Sequence, residues 1–249
     1  ALLDVETDVH LRRPEGSGER VATIFAASAS SLGPDSAGFM ETYGCELPLQ
    51  CGSMAKGVAS VELVMAAGRA GILASFGAGG LPVPVIEKAL VTLREALHNK
   101  PWACNLIHSP FNDNLERGAV ELFLKHGVRT IEASAFMNLT AHVVRYRVAG
   151  LERDGRTGDI VARNKIIFKL SRTELAELAL RAPPVAIVTK LLREGLVTPE
   201  QAEWARDIPM ANHVTFEADS GGHTDNRPLH VLLPIILQLR DRICEETGF

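Results

Sequence analysis

The residues able to do chemistry gather in one stretch: Glu217-Ala218-Asp219-Ser220-Gly221-Gly222-His223-Thr224-Asp225-Asn226-Arg227-Pro228. An apolar run, Val214 to Ala218, leads into it as a buried strand, and a long apolar helix follows from near Pro228. Gly221 and Gly222 let the backbone come close to a phosphate or a planar ring. The helix start offers unpaired N–H groups to an anion. His223 adds the side chain that moves protons near neutral pH. The same residues would also serve as a turn with a capping histidine, so the stretch has to be weighed against the rest of the chain.

That rest is an alternation of strand-like and helix-like segments. Strands are expected over Leu47–Gly52, Ala70–Ser75, Trp102–Ile107, Val128–Ala133, Lys165–Leu170 and Val214–Ala218. Helices are expected over Val58–Arg69, Pro82–His98, Asn112–His126, Leu139–Ala149 and Pro228–Glu246, with Pro234 kinking the last. Ser171 with Glu174 reads as a capping box opening a further helix that Pro183-Pro184 ends. The glycine-bearing turn Arg153 to Gly158 predicts an antiparallel hairpin inserted before the fifth strand. A helical pair, residues 184–208, interrupts the repeat before the sixth. It would be a lid, a docking face or a packing insertion. Residues 1–33 form a polar lead-in, and residues 34–249 carry the repeat.

Six β-then-α units imply parallel strands with crossover helices. Residues with functional character recur at the C-terminal end of strand after strand: Gly52-Ser53-Met54, Gly77 to Gly80, Asn105 to Ser109, Glu132 to Ala135, Lys169 and the Gly-Gly-His loop. That distribution favours a (β/α)8 TIM barrel, of which this chain holds the first six units, over an open doubly wound sheet. The lack of an initiating methionine points to a piece of a longer chain.

Several function classes are disfavoured. A net charge of −4 gives no basic face for nucleic acid or an anionic membrane surface. No apolar run reaches the ~20 residues of a membrane-spanning helix. Four scattered cysteines without metal-ligand spacing read as reduced thiols of a cytoplasmic protein, with no metal site indicated. Cys51 and Cys104 fall on strands as small core residues.

Individual residues keep two readings each. Asn105 donates and accepts at once, which suits the edge of a ligand ring, and an unpaired amide at an apolar strand end is costly. His108 would face a substrate or cap a helix. Lys169 is a rim residue or a cation with an anionic partner. Glu132 and Glu217 would do acid–base or metal work, or pair with Lys169 or Arg227; the salt bridges are favoured. Gly77, Gly79 and Gly80 are weak evidence for a phosphate cradle without a GKS or GxGxxG pattern. The remaining histidines, His10, His98, His126, His142, His213 and His230, read as surface residues.

The motifs LPLQCGSMAKGVASVELV, ILASFGAGGL, NLIHSP, EASAFMNLT and EADSGGHTDNRPLHVLLP resemble the PfaD-type enoyl reductases of polyunsaturated fatty acid and trans-acyltransferase polyketide synthases. These sit within the wider nitronate monooxygenase (2-nitropropane dioxygenase) family of FMN-dependent barrels. The resemblance runs from about Leu32 to Arg242. It implies an FMN-bound barrel that takes hydride from NADPH and reduces an enoyl thioester on an acyl carrier protein, among other synthase subunits, with a homodimer left open. It places His223 beside the flavin and the Gly52-Ser53-Met54 turn against the ring. It further implies cofactor contacts for Asn105, Lys169, Glu217, Ser220, Gly221 and Gly222, and substrate contacts for His108 and Thr224. Relatives carry two further strands that build much of the phosphate site. The rival readings are a nitronate monooxygenase and a flavin-free docking fragment.

Overall fold

The computed structural model describes residues 34–218 and 226–248. The lead-in, with His10, and the segment holding Ser220, Gly221, Gly222, His223 and Thr224 lie outside these residues. The elements run α1 (Pro34–Tyr43), β1 (Gln50–Cys51), α2 (Val61–Arg69), β2 (Leu73–Phe76), α3 (Val83–Leu97), β3 (Ala103–Ile107), α4 (Asp113–His126), β4 (Thr130–Ser134) and α5 (Ala141–Val148). Then follow the strands β5 (Leu151–Arg153), β6 (Ile160–Ala162) and β7 (Lys165–Leu170), the helices α6 (Thr173–Leu180), α7 (Val185–Arg193) and α8 (Pro199–Trp204), β8 (His213–Phe216) and α9 (Leu229–Thr247). One parallel sheet has the order β1-β2-β3-β4-β7-β8, and β5 pairs with β6 as the expected antiparallel hairpin.

Alternation along the strands gives this sheet two different faces. Ala74, Phe76, Cys104, Leu106, Ile131, Ala133, Ile166 and Phe168 join the helices in the main apolar core. Their neighbours Leu73, Ala103 and Ile167 point the other way and form a second cluster with Tyr43 and Cys45, against which Phe39 and Met40 of α1 pack. The sheet curls around that second face. In a flat sheet β1 and β4 would lie about 14 Å apart, three strand spacings, yet Gln50 Nε2 on β1 donates to Glu132 Oε2 on β4 at 2.9 Å. The inner face is therefore apolar and stoppered by α1 at the N-terminal ends of the strands, and polar at their C-terminal ends.

The helical pair α7–α8 packs on α5 and β5, on the outer wall, not over the C-terminal ends of the strands. Gln201 Nε2 of α8 donates to Ala149 O at 3.1 Å, where α5 ends. This excludes the lid reading for the insertion. A fully buried cation fixes the same region: Arg147 of α5 donates to Pro209 O at 2.9 Å, Asn164 O at 2.9 Å and Asn212 Oδ1 at 2.7 Å. Burial pulls its guanidinium down to about 10, still charged at neutral pH.

Two further expectations are corrected. The capping box at Ser171 does not form: α6 starts at Thr173 with Arg172 as its uncapped N-terminal residue. Leu170 O is still held by the Glu217 N–H at 2.7 Å, so the chain leaves the sheet too late for Ser171 to cap. A capping box instead opens α8, from Thr198 and Gln201. Three histidines are not surface residues. His126 and His142 are largely covered and meet Glu87 at 2.9 Å and Asp113 at 2.8 Å. His213 sits half-buried on the inner face, sharing a 2.9 Å hydrogen bond with the Tyr43 hydroxyl.

Burial pulls the His213 imidazole below the ordinary histidine range. The unfolded chain takes up this proton near pH ~6.5, while the folded chain resists it. The stability His213 contributes is therefore fully present above ~6.5 and lost as pH falls below it. Tyr43 and Phe39 face the ring, and the Lys165 ammonium lies 5.9 Å from the Tyr43 ring centre. The urea midpoint of the wild type should drop more steeply from about pH 7 to 5 than that of His213→Gln; parallel slopes would refute this.

Candidate functional site

The polar end of the inner face is organised by Glu132 of β4. Its side chain has no solvent exposure, and a bare carboxylate there would cost several kcal/mol (order of magnitude). Four donors meet it. Ser53 N–H lies 3.1 Å from Oε2, Ser53 Oγ donates to Oε1 at 2.7 Å, Gln50 Nε2 donates at 2.9 Å, and Lys169 Nζ stands 3.4 Å away. Lys169 of β7 also pairs with Glu217, just beyond β8, at 3.5 Å. The salt bridges expected for Glu132 and Glu217 are those the structure forms, both to Lys169. The cluster ties β1, β4, β7 and β8 together across the concave face.

Asn105 of β3, 2% exposed, stands beside it. Its Nδ2 donates to Glu132 O at 3.1 Å and to Ser134 Oγ at 2.8 Å, which commits the amide hydrogens and leaves Oδ1 as the group able to accept. Oδ1 is directed at Gly79, where an added Cβ would lie 2.6 Å from it. By strand alternation Ser75 of β2 shares this face, and its hydroxyl is buried without a partner among the described residues.

The glycines of the SFGAGGL segment turn out to be a packing device. The loop after β1 lies directly on the loop after β2: Gly57 N–H donates to Gly77 O at 2.8 Å, Gly77 N–H to Ala59 O at 2.9 Å, and Lys56 N–H to Gly79 O at 2.8 Å. A Cβ at Gly77 would stand 1.8 Å from Met54 O, so no side chain fits between the loops. Met54 itself is 47% exposed at this rim. Backbone strain gathers at the same end. Among the described residues four non-glycines have positive φ, and three of them, Lys56, Ala135 and Asn226, lie in the loops after β1, β4 and β8.

His108 follows β3 but faces the helix layer. Its ring stacks on Phe136 with centroids 5.2 Å apart, and Nδ1 lies 3.0 Å from Glu116 Oε2. Glu116 of α4 is buried and also accepts from the Thr140 hydroxyl at the start of α5. These are the contacts of a histidine tying helix starts to a strand end. The structure thus brings Gly52, Ser53, Asn105, Lys169 and Glu217 to one face, with Met54 at its rim. Glu132, absent from the residues assigned to ligand contact by sequence, is the group at their centre. Its only sequence signal is a carboxylate at a strand end.

The chain is 49% identical, along its whole length, to a segment of a polyunsaturated fatty acid synthase subunit of Thraustochytrium sp., of which it spans 17%. It is 38% identical, over 89% of its length, to the polyketide biosynthesis protein PksE of Bacillus subtilis, spanning 29% of that protein. Among solved structures, the enoyl reductase domain of MlnA, from the macrolactin biosynthesis cluster of Bacillus amyloliquefaciens, matches with a TM-score of 0.80 at 35% identity. That match covers 85% of this chain and 48% of the other, so the chain spans less than half of each of these relatives. No protein-family model matches the chain. These relatives bear out the resemblance to the PfaD-type enoyl reductases, and the curled six-stranded sheet is a partial (β/α)8 barrel.

Gly77→Ala forces a Cβ onto backbone rather than onto a movable side chain. It should cost about 3 kcal/mol or more in a denaturant melt. Gly155→Ala, with open space around it and no positive φ, should stay within about 0.5 kcal/mol. Equal costs for the two would refute the interlocked-loop account.

Proposed function

We propose that this chain carries most of the barrel of an FMN-dependent enoyl reductase, which uses NADPH to reduce the 2,3 double bond of an enoyl thioester on an acyl carrier protein. The likeness to a solved enoyl reductase domain, 35% identical over 85% of this chain, is the observation that supports it most. In this reading the protein works in the cytoplasm beside other subunits of a fatty acid or polyketide synthase. The inner face fits a flavin. It offers the Asn105 Oδ1 acceptor, the Ser75 hydroxyl, buried without a partner among the described residues, and the Lys169 cation. Among the described residues an added Cβ at Gly52 would meet only Glu132 Oε2, at 3.9 Å, so they leave the backbone there open.

Bound FMN would supply hydride transfer between NADPH and the double bond. The chain's own groups do the rest. Gly52, Ser53, Asn105, Lys169 and Glu217 would hold and orient the ring. Hydride addition to the β-carbon leaves an enolate, whose oxygen needs a donor and whose α-carbon needs a proton. His223, in the Gly-Gly-His motif that follows β8 in the sequence, is the proposed source of both.

The test is the visible spectrum of the full-length protein under anaerobic conditions. A flavin band that bleaches with NADPH and recovers with a 2-enoyl thioester is the expected result. His223→Ala should slow recovery by about 100-fold, with bleaching little changed. Recovery only with oxygen and a nitronate would favour the monooxygenase. The absence of a flavin band after reconstitution with FMN would leave a docking fragment.

A further inference from the structure

Glu132 takes no step in the reaction proposed above, yet it holds two separate groups that the reading places against the flavin. Through Oε1 and Oε2 it fixes the Gly52-Ser53-Met54 turn, bonding Ser53 at both its amide and its hydroxyl. Through the same carboxylate it draws in Lys169, which Glu217 holds from the other side. Two carboxylates against one ammonium leave the group with one net negative charge. Lys169 and Glu217 are 19% and 18% exposed, so they are reachable from the open end of the face, whereas Glu132 is sealed beneath them.

Resting on that reading, we propose that Glu132 is a positioning residue that sets both the seat of the flavin ring and its reduction potential. Two-electron reduction adds negative charge to the ring, and a site with a net negative charge opposes it. A lowered potential makes the reduced ring the stronger hydride donor toward a double bond. Lys169 moderates this effect and does not act as an uncompensated cation. One buried carboxylate thereby couples where the ring sits to how readily it gives up hydride.

The experiment is a potentiometric titration of the full-length, FMN-loaded protein, in wild type and three variants. E132Q and E217Q each remove one negative charge and should shift the oxidised-to-reduced equilibrium toward the reduced flavin by about tenfold, ~30 mV for a two-electron couple. K169M removes the cation and should shift it the opposite way. E132Q should also weaken FMN binding, and the Ser53 amide should exchange with solvent faster even in the FMN-free protein, because its ionised acceptor is gone. Should E132Q fail to fold, E217Q and K169M decide alone by their opposite signs. Potentials that stay at the wild-type value, or that move the same way in E217Q and K169M, overturn the proposal while the reductase reading stands. A wild type that takes up no FMN overturns that reading, and this proposal with it.

Discussion

A carboxylate placed beyond the reach of water must be met by donors from its own protein, and Glu132 draws them from two other strands, β1 with the turn that follows it and β7. The requirement is stringent, because an ion pair broken in such a setting costs far more than the pair contributes. The donors arrive only if β1 swings over the concave face toward β4, so the charge and the curl of the sheet demand each other. What looks like a site is first a condition for closing the face. The turn after β1 cannot be placed independently of β4, nor Lys169 independently of either.

The inner face is graded along the barrel axis. At the N-terminal ends of the strands, α1 seals it with Tyr43 and an apolar layer of Leu73, Ala103 and Ile167. At the C-terminal ends the same face bears Asn105, Glu132, Ser134, Lys169 and Glu217. The strained backbones of Lys56 and Ala135 and the interlocked loops after β1 and β2 lie at that polar end. One end is therefore packed for stability and the other left polar and strained, the division of labour usual for barrels. Both ends use side chains from the same strands, so the alternation of the strands settles which residues belong to which purpose.

Much of this is legible in the sequence wherever local signals suffice. The run Lys165–Leu170 is a strand to the residue, because a β-branched and aromatic stretch bounded by turn residues has no competing reading. Gly127 ends α4 in the left-handed conformation, as its place after a helical pattern requires. β1 shrinks to two residues because Gly52 to Ala59 leave the sheet to lie on the loop after β2. That exchange depends on Gly77 and Gly79 from a different unit, which no local pattern reveals. The same holds for Glu132: its role arises from the approach of β1 to β4, residues about 80 apart in sequence (79 and 82). His213 escapes a local reading because polar type alone suggests the surface, while its partner Tyr43 lies 170 residues earlier. The segment from Ser220 to Thr224, the richest in chemical character, lies outside the described residues, so its part in the site rests on sequence and kinship.

Arg147 carries a consequence for how the molecule is made. Its oxygen partners on Pro209 and Asn212 are translated 62 and 65 residues after it. At roughly 5–20 residues per second, the growing chain holds this guanidinium without those acceptors for about 3–13 seconds. During that interval α5 cannot settle into its final bed without stranding a charge. The fourth unit thus waits for the segment that leads into the sixth, and the outer helical pair emerges from the ribosome inside that waiting period. The wall around α5 is thereby completed out of step with the order of synthesis, because the cation buried in it meets its last acceptors only when residues 209 and 212 have been made.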